Sequence, residues 1–250
     1  MVASNKDRIC ALLKSIETGD PGPISVVNEA RYIQHNPQTH EGSEGLAVLF
    51  KRLSDTSPRV NIVRAFEDGD FVFAHTEYDF SRRNIGFEVF RFEDGRAVEH
   101  WDNIQKRLGP NGSGRSMVDG PTESRDIENT EKNRTLVRSF VENALIAGDP
   151  DQIEAFVNTT AFAEHSPGFS DELTALRAAL SDIEAIDYQH LHRVLAEGDF
   201  VLTVCEGERA GKHSSFYDLF RVSDGKITEH WDTVETIAPR SEWKNDNGKF

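Results

Sequence analysis

The side chains in this sequence best suited to moving a proton are Glu88, His100 and Asp102, with the same spacing in Asp218, His230 and Asp232. On a β-strand alternate residues share a face. Across Ala97–Gln105 this groups Val98, His100, Asp102 and Ile104 apart from Ala97, Glu99, Trp101 and Asn103. Across Ile85–Phe92 it groups Glu88, Phe90 and Phe92 apart from Phe87, Val89 and Arg91. A carboxyl set among Phe90 and Phe92 is desolvated, a condition in which it serves as general acid or base. A neighbouring imidazole can orient it or share its proton. Such a set needs no nucleophile, metal or cofactor to move a proton beside a carbonyl or to close an aldol ring. The alternative is a sheet-edge hydrogen-bond network of Glu99, Trp101 and Asp102, retained for folding.

These residues come in pairs because the chain is one domain written twice. VFRFEDGRAVEHWD (Val89–Asp102) matches LFRVSDGKITEHWD (Leu219–Asp232) at an offset of 130 residues. Gly69-Asp70-Phe71-Val72 matches Gly198-Asp199-Phe200-Val201, His35-Asn36-Pro37 matches His165-Ser166-Pro167, and Gly19-Asp20-Pro21 matches Gly148-Asp149-Pro150. A period this long indicates domain duplication, since solenoid units run to roughly 20–50 residues. His35 and His165, each close to a proline on the strand entering the domain, are candidate pocket residues. A slip of one would bring in Asn36 or Ser166, and a turn or capping role is the alternative. His75, replaced by Val204 in the second copy, is either a pocket residue or a buried core histidine.

The positioning elements are legible in the periodicity. Ile9, Leu12, Leu13 and Ile16 have the spacing of an amphipathic helix over about Lys6–Thr18, matched by Leu136, Val137, Phe140, Val141, Ala144 and Leu145. A short helix is expected around Ile24–Ala30 (Ile153–Val157) and a third over Ser43–Leu53 (Leu173–Leu180). The period then changes to 2, giving strands over Val60–Phe66, Phe71–Phe80, Ile85–Phe92 and Ala97–Gln105. Asp94-Gly95 and Asp224-Gly225 mark hairpins. Three helices followed by an antiparallel meander predict an α+β domain. The expected organisation is a first domain over 1–108, a Gly/Pro/Ser-rich linker over 109–131, a second domain over 132–238 and a tail over 239–250.

Among 250 residues the net charge is −15, which argues against nucleic acid and anionic membrane surfaces as partners. The start lacks the apolar run of a signal peptide, and a cytoplasmic protein is expected. Cys10 and Cys205 have no counterparts in the opposite copy and read as free thiols. His190, His192 and His213 could gather around zinc, but a solvated strand face explains them better. Gly109–Gly114 lacks the lysine of a phosphate-binding loop, and no Gly-x-Ser-x-Gly elbow or Cys–His pair is present.

The order helix, helix, YIQHNP, helix, then a meander ending in FRFEDGRAVEHWD, resembles the SnoaL-like branch of the NTF2-like superfamily, over nearly all of both halves. The resemblance implies two tandem cystatin-like cones, each with three helices on a curved sheet, arranged as an intramolecular pseudo-dimer through outer sheet faces bearing Val89, Arg91, Trp101 and Leu219, Arg221, Trp231; further self-association is left open. It implies a cavity in each cone, lined by Glu88, Phe90, Phe92, His100 and Asp102 in one and by Asp218, Phe220, His230 and Asp232 in the other. His35, His75 and His165 are added as substrate-binding candidates. Asp102 then corresponds to the acid/base of polyketide cyclases, and Glu88 to a carboxyl hydrogen-bonded to the substrate oxygen in ketosteroid-isomerase-like relatives. The implied function is metal- and cofactor-free isomerase, cyclase or aldol chemistry on a small apolar carbonyl compound. A non-catalytic carrier of such a compound, or a protein-interaction module, are the competing readings.

Overall fold

A computed structural model describes residues 3–41, 57–182 and 184–250. The chain divides into two compact units, Met1–Arg107 with Ala238–Phe250, and Leu108–Ile237. The stretch read as a linker therefore belongs to the second unit, and the stretch read as a tail belongs to the first. The helix expected over Ser43–Leu53 lies outside the described residues.

In the first unit, α1 (Asn5–Thr18) begins at a capping box. The Ser4 hydroxyl accepts from the Asp7 N–H, and the Asp7 carboxylate accepts from the Ser4 N–H. Its apolar stripe buries Ile9, Leu12 and Leu13. A 3-10 turn (Gly22–Val26) leads to the two-residue β1 (Ile33–Gln34). The meander follows as β2 (Arg59–Asp68), β3 (Phe71–Asp79), β4 (Arg83–Glu93) and β5 (Arg96–Lys106). The sheet order is β1-β5-β4-β3-β2, with β1 parallel to β5 and the other pairs antiparallel.

The second unit repeats this plan. Its helices are α2 (Thr130–Phe140), continued by a π turn (Val141–Ile146), the short α3 (Ile153–Phe156) and α4 (Leu173–Leu180). Its strands are β6 (Ala163–Glu164), β7 (Ile186–Glu197), β8 (Phe200–Arg209), β9 (Lys212–Ser223) and β10 (Lys226–Thr236), ordered β6-β10-β9-β8-β7. The hairpins before β5 and β10 turn on Asp94-Gly95 (φ 50° and 72°) and Asp224-Gly225 (φ 52° and 73°). Two consecutive left-handed residues are what a two-residue hairpin requires, and Asp-Gly adopts them at low cost.

Each sheet is apolar on both faces. In the first unit, Val72, Ala74, Phe90 and Phe92 join Ile9, Leu12 and Leu13 in one core cluster. Phe73, Phe87, Val89 and Trp101, of opposite parity, are also buried. Cys10 and Cys205 are free thiols. Among the described residues no helix is long and apolar enough to cross a membrane.

Candidate functional site

The first unit encloses a cavity of about 230 Å³ between α1 and the sheet. Leu12, Leu13 and Ile16 of α1, together with Phe80 and Ile104, supply apolar walls, and Glu88, His100 and Asp102 supply a polar floor. Strand register sets that floor. Glu88 of β4 lies directly across from Asp102 of β5, and Phe90 directly across from His100. Period-2 alternation brings all four to one face. The His100 ring stacks on Phe90 (centroids 4.4 Å apart) and, more distantly, on Tyr32 (6.4 Å).

Hydrogen bonding fixes which atoms of this set carry protons. The Gln34 Oε1 accepts from the Asn36 backbone N–H at 2.8 Å, which settles the orientation of its amide. The same oxygen lies 3.0 Å from His100 Nδ1, so Nδ1 is the donor of that pair. His100 Nε2 is 2.7 Å from Glu88 Oε2, while Glu88 Oε1 accepts from the Tyr78 hydroxyl at 2.7 Å. One proton thus bridges Glu88 and His100. Tyr78 and Tyr32 remain phenols, since burial pushes both well above the usual tyrosine range, reinforced by the Glu88 and Asp102 charges.

Asp102 is held differently. Its Oδ2 accepts from Asn36 Nδ2 at 2.7 Å, and Lys249 Nζ stands 3.6 Å from Oδ1. Oδ1 itself is buried with no hydrogen-bond partner among the described residues. Ligating atoms of Glu88, His100 and Asp102 lie within 4.8 Å of one another. A direct hydrogen bond joins Glu88 and His100, and the Lys249 ammonium brings positive charge to Asp102.

Other residues named from sequence lie elsewhere. His35 faces away from the cavity. Its Nδ1 donates to the Gly248 carbonyl (3.0 Å), its Nε2 meets Glu99 (2.9 Å), and its ring stacks on Trp101 (4.7 Å). The cavity position belongs to the next residue, Asn36. His75 is fully buried on the face opposite the cavity, taking a hydrogen bond from Arg64 and meeting the Phe87 ring. Phe92 is part of the core beyond the cavity, beneath the Arg8 guanidinium. His192 and His213 both hydrogen-bond Glu206 on a partly exposed face of the second unit. Glu-His-Trp-Asp therefore divides by parity, with Glu99 and Trp101 serving the fold and His100 and Asp102 lining the cavity. Tyr78, Gln34 and Lys249 were not singled out as site residues in the sequence, and Asn36 entered only as the alternative to His35.

The model of the SnoaL-like domain matches residues 12–100 and, again, residues 137–230. The chain belongs to the SnoaL-like family. Similar solved structures include TsrD from Streptomyces laurentii (20% identity, covering 41% of this chain and 91% of that one, TM-score 0.36). A candidate ketosteroid isomerase from Kribbella flavida is 18% identical over 44% of this chain and 84% of its own (TM-score 0.37). An LEH-like epoxide hydrolase from M. tuberculosis is 25% identical over 43% and 85% (TM-score 0.34). Among curated proteins no significant match is found.

The two SnoaL-like units share their site plan but not its volume or its charge. The second cavity, which touches Asp218, Phe220 and His230, holds only about 20 Å³, close to the minimum for one water. Strand register gives a cause. Gly86 pairs with Ile104 two residues beyond Asp102, and Phe216 pairs with Val234 two residues beyond Asp232. Phe216 thus stands where the first unit has glycine, packed against Tyr188 (4.4 Å). Phe140 adds a second ring, edge-on to Phe220. In charge, Glu164 replaces Gln34, so His230 sits between Glu164 (2.9 and 3.0 Å) and Asp218 (3.1 Å). Burial disfavours the imidazolium, but Glu164 and Asp218 outweigh it and hold the His230 pKa well above the usual histidine range. Burial raises Asp232 to about 6, opposed by His230 and assisted by Asp218 and Glu164. His165, like His35, faces away, stacked on Trp231 (4.5 Å) and bonded to Glu229 and the Ser116 carbonyl.

Proposed function

We propose that the first SnoaL-like unit is an acid/base catalyst for a small apolar carbonyl compound, with Asp102 as the base, and that the second unit is a filled structural copy. The observation that carries this reading is the cavity of about 230 Å³ lined by Asp102, Glu88 and His100 in the first unit, against one of about 20 Å³ beside Asp218 and His230 in the second. The cavity volume lies below the roughly 300–1,000 Å³ of drug-sized ligand sites, which limits the substrate to a small molecule.

In this mechanism the apolar part of the substrate packs against Leu12, Leu13, Ile16 and Ile104, with its carbonyl toward Glu88 and Tyr78. The Asp102 carboxylate removes the proton from the carbon beside the carbonyl. Charge moves to the carbonyl oxygen, where the Tyr78 hydroxyl and the proton bridging Glu88 and His100 are the available donors. Returning the proton from Asp102 to a different carbon completes an isomerisation. Attack of the enolate carbon on a second carbonyl, with the bridging proton passing to the new alkoxide, forms the aldol, and return of the proton held by Asp102 to the Glu88–His100 pair restores the site. Both routes conserve protons without a cofactor.

Exchange of the α-protons of cyclohexanone in D₂O, followed by NMR, tests the reading. Saturable exchange by the intact protein should fall about 10²–10⁴-fold in Asp102→Asn and stay unchanged in Asp232→Asn. Unchanged exchange in Asp102→Asn, with ketone still bound, would favour the carrier reading.

A further inference from the structure

We propose that Lys249 is a positioning residue of the first site, holding the Asp102 backbone and setting a positive charge beside its carboxyl. For its catalytic consequence the proposal rests on the function given above. Its electrostatic part does not. Lys249 lies about 150 residues from Asp102 in sequence, yet its ammonium donates to the Asp102 carbonyl at 2.8 Å and stands 3.6 Å from Oδ1. Its side chain is only 2% exposed. Burying an ammonium costs several kcal/mol unless it is paired with a negative charge, and the Asp102 carboxylate stands within ion-pair distance of it.

The segment carrying Lys249 is fastened to the strand and turn that shape the cavity. Asn245 Nδ2 donates to the carbonyls of Asn36 (2.7 Å) and Thr39 (3.0 Å), and Asn247 Nδ2 to that of Gln34 (3.0 Å). The Gly248 carbonyl accepts from His35. Gln34 and Asn36 are the residues that orient His100 and bind Asp102, so this segment secures the hydrogen-bond partners of the site as well as supplying its cation.

The second unit provides the comparison. There the Ser116 carbonyl accepts from His165 just as Gly248 accepts from His35, but the following residue is buried Met117, where the first unit has lysine. Asp232, at the position of Asp102, is the carboxyl that burial raises to about 6. The groups around Asp102 are Glu88 from β4, His100 from β5, Tyr78 from β3, Tyr32 before β1 and Lys249. Lys249 is the lysine of that set.

The test is a ¹³C-detected carboxyl titration of Asp102 in the full chain, for wild type, Lys249→Met, Lys249→Gln and Lys249→Arg. The Met and Gln variants should shift the Asp102 midpoint upward by about 1–3 pH units, the effect of an opposite charge at this distance. Arg should keep it near wild type. Gln retains a donor for the Asp102 carbonyl without the charge, and so separates charge from hydrogen bonding. With cyclohexanone, the acid limb of the kcat profile should move up with the midpoint while KM changes little. An unmoved midpoint in whichever neutral variant folds overturns the proposal. If the midpoint moves but wild type exchanges no ketone protons, the reaction assigned above fails and the role of Lys249 stands.

Discussion

Replacing Glu164 by Gln gives the second site the amide that the first site has, and the consequence for His230 can be worked out from distances. His230 Nδ1 lies 2.9 and 3.0 Å from the Glu164 oxygens. Unit charges about 4 Å apart at an effective dielectric of about 20 interact by about 4 kcal/mol, or about 3 pH units. The Gln amide oxygen would still accept from Nδ1, as Gln34 does from His100, and that retained bond is worth about 1 kcal/mol. The His230 midpoint should therefore fall by about 2 pH units in Glu164→Gln, read from the imidazole ¹⁵N–¹H correlations. Stability gives an independent reading. A folded-state pKa raised above the unfolded value contributes stability that is fully present below about pH 6.5 and lost as pH rises through the raised value. The stability deficit of Glu164→Gln should be largest below about pH 6.5 and shrink in alkali. A His230 midpoint that stays in place would refute the claim that Glu164 fixes the charge of the second site.

Three further outcomes follow from the same geometry. Asp232, raised from 3.8 to about 6, gains stability from its protonated form, present below pH 3.8 and lost as pH rises through 6. Asp232→Asn should therefore be more stable than wild type at pH 8 by about 1–3 kcal/mol and show no such gain at pH 4 in urea denaturation. Gly86→Ala would place Cβ 2.6 Å from both Thr76 Oγ1 and Tyr78 Cε2; it should cost about 1–3 kcal/mol of stability and weaken cyclohexanone binding about tenfold or more in NMR titrations. Tyr78→Phe leaves Glu88 Oε1 without its donor and should lower the exchange rate constant more than it raises KM, measured by the same deuterium exchange.

The meander was legible because alternation in a long strand repeats often enough to be unambiguous, and Asp-Gly announced the turns. Alternation grouped Glu88 with Phe90 and His100 with Asp102 within their own strands, and the family resemblance put the two pairs on one face. The two-residue β1 offers no period, so the sequence left His35 and Asn36 interchangeable, and the structure gives the cavity to Asn36. His75 sits on a strand buried on both faces, where burial does not tell one side from the other. The unequal cavities had a visible signal, Gly86 against Phe216 at the repeat offset, which becomes readable once register shows that both positions face inward. Lys249 had none, because it is distant in sequence and its partner is identified only by tertiary structure.

The membership of the first unit also has a consequence in time. Its strands are all made by residue 106, but Lys249 lies about 140 residues further along the chain. At about 5–20 residues per second, a ribosome reaches Lys249 roughly 7–30 s after it completes that sheet. During this interval the first sheet can fold while Asp102 lacks its ammonium. The site is thus finished only after the whole second unit has been translated, which makes synthesis through residue 249 a condition for bringing the ammonium to Asp102.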